Sequence, residues 1–147
     1  MPPDTLPIIV TIPSRLDLLP VARTFVASVC QVFGIDAKTT DAIVLAVNEA
    51  ISNVIRHAHH DRPQAMLQIH CLPHADSLEI HILDEGAPFD LDAVPELDPG
   101  ELRIGGRGVF LMRALMDEVS CQPLTPHGNR LRLLKRYHRR GRLPEER

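Results

Sequence analysis

Hydrophobic residues recur at two different spacings along the chain. From about Asp17 to Phe33, and again from Asp36 to about Ala58, apolar residues return every three or four positions, which predicts two amphipathic helices. In "AMLQIHCL" and "SLEIHIL" apolar and polar residues alternate, which predicts an antiparallel hairpin with one buried face. Helices and strands therefore each present an apolar face, and a core is expected between them.

Four shorter segments complete the order of elements. "PIIVTIP" indicates a first strand, "VFLMRALMDEV" a third helix opened by "GGRG", and "EVSCQPL" and "NRLRLLKR" a final pair of strands. The strands come in hairpins and do not alternate with helices, which favours an α+β fold. We predict a two-layer α/β sandwich, with one mostly antiparallel mixed sheet and helices on one face.

Composition limits the domain organisation and the environment. The 147 residues, 44% of them hydrophobic, suit one domain over 1–147, with an ordered core over about 7–136 and a flexible tail over 137–147. No apolar run is long enough to span a bilayer and no export signal opens the chain, so we expect no membrane partner and a cytoplasmic protein. The widely spaced Cys30, Cys71 and Cys121 are interpreted as reduced core thiols.

Charge is distributed unevenly, although the net charge is only -3. Residues 84–101 carry seven acidic residues and no Lys or Arg, whereas residues 130–147 contain eight of the 16 Lys and Arg. A short basic terminus is more often solvated than bound to nucleic acid. With only 3% aromatic residues to stack on bases, we expect no direct nucleic-acid partner.

The second predicted helix carries a polar stripe within "NEAISNVIRHA". Glu49, Asn53 and His57 follow one another at intervals of four, so that they lie on one face of the helix, opposite its apolar stripe. On this helix alone the stripe is compatible with a solvated face, because such stripes are normal on surface helices. A solvated face is therefore favoured on this helix alone, while the three side chains could also meet one ligand, and the choice depends on the rest of the chain.

Two further motifs follow in order. In "DEGAPFD", Asp84 is expected at the carboxyl end of a strand, and Gly86 lets the chain turn close to a ligand. The segment "GGRG" opens a helix whose unpaired N-H groups suit phosphate. It is not a P-loop, because no Lys-Ser or Lys-Thr follows the glycines. Neither motif is specific alone.

Together the three motifs resemble the N, G1 and G2 boxes of the Bergerat-fold ATPases, the superfamily of gyrase, heat-shock-90-type chaperones, sensor histidine kinases and MutL. The segments "TIPSRLDLLPVARTFV", "LAVNEAISNVIRHA" and "GRGVFLMRALMDEV" look most like the anti-sigma-factor serine/threonine kinases of the partner-switching type. That resemblance implies a kinase that uses ATP and Mg²⁺, phosphorylates a STAS-domain anti-anti-sigma protein and sequesters a sigma factor. It also implies a possible homodimer.

The resemblance assigns roles to individual residues. Glu49 would be the general base, Asn53 the Mg²⁺ ligand and Asp84 the acceptor for the adenine amino group. Gly86 would allow the adenine ring to approach the backbone. Gly105, Gly106 and Gly108 would allow the start of the third helix to close on the phosphates. The nucleotide site implied in this way comprises Asn53, His57, Asp84, Gly86, Pro88, Phe89, Gly105, Gly106, Arg107, Gly108 and Val109.

Several alternatives remain open at the level of sequence. Arg107 either binds a phosphate or extends into solvent, and His59 stands where relatives often carry Tyr, so packing under the nucleotide is expected to differ. We expect no zinc site at His57, His59, His60 and Asp61, because adjacent helical residues point to different sides. The alternative function is a nucleotide-dependent module that sequesters a partner without phosphotransfer, and a sensor-kinase fragment is a weaker third interpretation. The sequence does not name the sigma factor or its antagonist.

Overall fold

The computed structural model describes residues 6–59, 62–87, 91 and 107–138. These residues form three α-helices and five strands in the predicted order. The elements are β1 (Ile8–Pro13), α1 (Leu19–Val32), α2 (Ala37–Asn53), β2 (Met66–Pro73), β3 (Ser77–Asp84), α3 (Arg107–Leu115), β4 (Glu118–Pro123) and β5 (Asn129–Arg136).

The first two helices begin where local chemistry allows. A 3-10 turn, Leu16–Leu18, precedes α1, so the helix starts later than Asp17, with Pro20 in the first turn, where its missing N-H costs no hydrogen bond. Asp36 caps α2, since its carboxylate accepts a hydrogen bond of 3.1 Å from the N-H of Thr39.

The end of the second helix differs from the prediction. The α-helical hydrogen bonds of α2 stop at Asn53, and a wider turn of π-helix, Val54–Ala58, continues to the predicted end. The third helix also ends earlier than predicted, at Leu115, because the chain turns there and Glu118 already belongs to β4.

The five strands form one sheet in the order β1-β2-β3-β5-β4. Both predicted hairpins, β2 with β3 and β4 with β5, are present. β3 and β5 are paired in the centre, with Asp84 opposite Asn129. All pairings among the described strands are antiparallel, so the α+β prediction is confirmed, while the parallel pairing of a mixed sheet is not seen in this part of the chain.

The core lies between one face of the sheet and the helices. Alternate strand residues such as Ile69, Ile80 and Leu133 are fully buried in one apolar cluster with residues of all three helices. On the other face, Glu79 and Arg132 form an ion pair of 3.1 Å. The three described helices therefore lie on one face of the sheet, as predicted.

Some boundaries and thiols depart from expectation. Tyr137, assigned to the tail, is buried, and its N-H donates to the carbonyl of Asp76 at 3.0 Å, so packing extends to that residue.

Burial raises the pKa of the Cys30 thiol to about 11 and that of Cys71 to about 12, as suits reduced core thiols. Cys121 is not a core thiol, because it is only half-buried.

Helices long and apolar enough to cross a membrane do not occur within the described residues.

Candidate active site

A cavity of about 390 Å³ opens between the carboxyl-terminal part of α2, the end of β3, the start of α3 and the strands β4 and β5. Its walls are mainly apolar, with a few polar side chains, which is the usual composition of a small-molecule site. The lining residues are Ala50, Asn53, Val54, His57, Ala58, Asp84, Ala87, Leu91, Val109, Met112, Cys121, Asn129 and Leu131.

Asp84 and Asn129 form the buried polar part of the cavity wall. Asp84 ends β3 and is held by two hydrogen bonds to Oδ1, from the N-H of Gly86 at 2.8 Å and from Nδ2 of Asn129 at 3.1 Å. Nδ2 of Asn129 also donates to the carbonyl of Ala87 at 2.8 Å. Neither of these bonds to Asp84 uses Oδ2, so the carboxylate is fixed in orientation and retains acceptor capacity for a ligand.

Asn53 lies directly against the start of α3. A Cβ added to Gly108 would meet Nδ2 of Asn53 at 2.6 Å and its Oδ1 at 3.1 Å, closer than van der Waals contact allows. Glycine is therefore required for this approach, which brings the amide of Asn53 next to the first turn of a helix. The backbone N-H groups of that turn lack partners within the helix, and the helix dipole makes the region favourable for anions.

The loop after β3 packs on the π turn that follows α2. A Cβ at Gly86 would meet the carbonyl oxygen of Ala58 at 2.5 Å and its Cβ at 2.6 Å. Next to this contact, the N-H of Glu85 donates to Nε2 of His59 at 3.1 Å. The role predicted for Gly86 was approach to a nucleotide base, and the close approach that the structure shows is to Ala58.

Glu49 lies one helical turn before Asn53 and is half-buried, but it is not among the residues that line the cavity. Two residues of the predicted polar stripe, Asn53 and His57, thus line the cavity, whereas the carboxylate of Glu49 does not. Ser52, next to Asn53 on the same helix, is buried.

The structure brings four of the predicted site residues, Asn53, His57, Asp84 and Val109, into one cavity, with Gly86 and Gly108 packed beside it. Among the described residues, no group of three His, Cys, Asp or Glu side chains could hold a metal ion. The predictions for Pro88, Phe89, Gly105, Gly106 and the side chain of Arg107 lie outside the described residues, as do His60 and Asp61.

Sequence reasoning missed Asn129 and most of the apolar wall. Asn129 follows a glycine at the start of a strand, which indicates a turn, and nothing local places it opposite Asp84. Met112 is both buried in the core cluster and part of the cavity wall.

Comparison with known proteins defines the family. Residues 12–135 match the family model of the histidine kinase-like ATPase domain. The serine-protein kinase RsbW of Oceanobacillus iheyensis is 34% identical over 116 residues, which cover 74% of this chain and 73% of the relative. The serine-protein kinase RsbW of Halalkalibacterium halodurans is 33% identical over 120 residues, covering 76% and 73% respectively.

Among solved structures, the RsbU and RsbW domains of Rv1364c from Mycobacterium tuberculosis superpose with a TM-score of 0.64 at 16% identity. The match covers 95% of this chain and 34% of that chain, and it supports the fold alone.

The chain therefore belongs to the family of histidine kinase-like ATPase domains. Within it, the similarity to serine-protein kinases RsbW confirms the prediction of a protein serine/threonine kinase of the anti-sigma-factor type.

Proposed function

We propose that the protein is an ATP-dependent anti-sigma factor that phosphorylates a serine or threonine of a STAS-domain anti-anti-sigma protein and sequesters a sigma factor. The observation that carries this proposal is the presence, in one cavity, of a fixed carboxylate at Asp84 and of the Asn53 amide packed against a helix start. The first suits an adenine base and the second suits metal-bound phosphates.

Asp84 supports adenine recognition through its hydrogen bonds. With Oδ1 held by Gly86 and Asn129, Oδ2 is the oxygen left to accept from an exocyclic amine. Adenine presents such an amine, whereas guanine presents a carbonyl oxygen at the equivalent ring position, which a carboxylate cannot pair with. The neighbouring apolar wall suits the faces of a purine ring.

Asn53 and the start of α3 support Mg²⁺ and phosphate. A side-chain amide oxygen is a suitable Mg²⁺ ligand, and Mg²⁺ commonly uses only one or two protein ligands together with waters and phosphates. The close contact of Gly108 places this amide at a helix start, where N-H groups favour anions. Bound Mg²⁺ would neutralise part of the charge of the phosphates.

Glu49 is the proposed general base. It lies one turn before Asn53 and outside the cavity wall, so a hydroxyl group of a protein substrate would approach from that side. As the hydroxyl oxygen bonds to the γ-phosphorus and ADP leaves, Glu49 would accept the hydroxyl proton. Because ATP and sigma factors occur in the cytoplasm, we propose that the protein acts there. The resemblance to anti-sigma-factor kinases also leads us to propose a homodimer.

A second candidate function is a nucleotide-dependent module that sequesters its partner without phosphotransfer. The position of Glu49 supports this alternative, because that carboxylate is not among the described residues that line the cavity. Nucleotide binding needs Asn53 and Asp84, while only transfer needs Glu49.

Asp84→Asn is expected to weaken Mg-ATP binding by about 10- to 100-fold, since it replaces a charged acceptor by an amide that can present a donor. Mg-GTP binding should change less, so the ATP preference narrows. Calorimetry with both nucleotides measures this ratio. Asp76→Asn, in the turn before the same strand, is the matched control and should behave as wild type. If Asp84→Asn left the ratio of ATP to GTP affinity unchanged, Asp84 would not contact the adenine amino group.

A further inference from the structure

His59 occupies an unusual position after the second helix. The π turn Val54–Ala58 closes with a hydrogen bond of 2.9 Å from the N-H of His59 to the carbonyl of Val54, five residues earlier. Such a turn contains one more residue than an α-helical turn. The residues after it therefore no longer lie on the helix face that carries the polar stripe. The His59 side chain is 0% exposed, whereas His57 before it is exposed and lines the cavity.

The His59 ring is bonded to the loop that follows Asp84. Nε2 accepts a hydrogen bond of 3.1 Å from the N-H of Glu85. A backbone N-H can only donate, so Nε2 carries no proton, and the proton of the neutral ring lies on Nδ1. The ring must therefore be neutral for this contact to form.

The same loop is held from both sides. Gly86 packs on Ala58, the last residue of the π turn, and Asn129 bonds the Asp84 carboxylate from β5. His59 supplies the hydrogen bond on the helix side, at the residue between Asp84 and Gly86. Loss of that bond would leave the partly buried N-H of Glu85 without this acceptor and weaken the attachment of the loop to the π turn.

We propose that His59 is a positioning residue for the adenine end of the nucleotide site, and that protonation of its ring weakens nucleotide binding by releasing the Glu85 N-H. This inference rests on the proposed function, because the nucleotide is what the Asp84 loop would bind. His59 touches no ligand in this account and acts through the loop alone.

The charges around the ring are consistent with a neutral resting state. Burial lowers the pKa of His59 below its ordinary range, and the Arg62 guanidinium lowers it further. The carboxylates of Asp84 and Glu85 raise this pKa, but their effect is smaller than that of burial. The ring is thus neutral at pH 7 and gains a proton only at acidic pH. The contact with Glu85 is present at neutral pH and is lost progressively as the pH falls.

Calorimetric binding of Mg-ADP between pH 8 and pH 5 tests this proposal with two variants. His59→Leu removes the acceptor and should weaken binding about tenfold at pH 8. His59→Gln retains an acceptor oxygen in place of Nε2 but does not titrate, so it should bind within about threefold of wild type at pH 8. Mg-tripolyphosphate, which lacks adenine, should bind the wild type and both variants equally.

The pH profiles provide the second readout. Wild type should lose about tenfold more affinity for Mg-ADP than His59→Gln as the pH falls from 8 to 5. ADP itself titrates near pH 6, and comparison with the glutamine variant cancels that contribution. His70→Gln is the matched control, since burial also lowers the pKa of His70, which lies on the opposite face of the sheet. It should follow the wild-type profile.

Two results would overturn the inference while leaving the proposed function intact. One is wild-type affinity for Mg-ADP in a folded His59→Leu at pH 8, and the other is coincident pH profiles of wild type and His59→Gln. If His59→Leu does not fold, the comparison of wild type with His59→Gln still decides. A wild-type protein that binds no Mg-ADP at pH 8 contradicts the proposed function, and this inference falls with it.

Discussion

Glu49→Gln is expected to reduce phosphoryl transfer from ATP to the protein substrate by about two to four orders of magnitude, the usual contribution of a positioned proton acceptor. The substitution keeps the size and helix propensity of the side chain and removes only the basic carboxylate. Because Glu49 does not line the cavity, binding of Mg-ATP should stay near wild type. Single-turnover transfer and calorimetry on the same preparation measure the two effects separately.

The matched control is Asp41→Asn, an exposed carboxylate two turns earlier on the same helix. It should transfer phosphate at the wild-type rate. Transfer by Glu49→Gln at that same rate would show that the carboxylate is structural, and that the loose transition state of phosphoryl transfer needs no base here.

Asn53→Ala is expected to lower nucleotide affinity and transfer together. Removing an outer partner of a metal ligand costs about 10- to 100-fold in metal affinity, so loss of the ligand itself should weaken Mg-ATP binding by at least about 100-fold. Titration of Mg²⁺ into the protein with ATP present measures the effect. In EDTA, Asn53→Ala should weaken ATP binding much less, because the metal then contributes nothing to the affinity of wild type or variant.

Two further variants sharpen this test. Asn48→Ala removes an amide of the same helix that accepts from Arg23 at 2.8 Å, away from the cavity, and should leave nucleotide affinity unchanged. Gly108→Ala should resemble Asn53→Ala, because its Cβ would stand 2.6 Å from Nδ2 of Asn53 and displace the amide. Retention of Mg-dependent binding in Asn53→Ala would contradict the assigned metal ligand.

Local chemistry explains why much of the fold was predictable from the sequence. The cap at Asp36 and the alternation of buried residues in β2 and β3 are set by neighbours in the chain. The π turn was missed because Val54 and Ala58 keep the apolar spacing of an α-helix across it. The π turn packs against the Gly86 loop at Ala58, and that contact is distant in sequence.

The candidate site was predictable where a single segment carries the signal. Asn53 and Asp84 stand out by helical spacing and by position after a strand, and both line the cavity. Asn129 was not predictable, because its role depends on the pairing of β3 with β5, which joins residues 45 positions apart. The burial of His59 likewise depends on the π turn and on Glu85, and no local pattern encodes it.

The central claim is tested most directly by incubating the purified protein with ATP labelled at the γ-phosphate, Mg²⁺ and STAS-domain proteins. We predict that label appears on a serine or threonine of a STAS protein, that EDTA abolishes the transfer, and that Glu49→Gln nearly abolishes it. Absence of transfer to every STAS protein tried, together with tight binding of a sigma factor, would contradict the kinase and support the binding module.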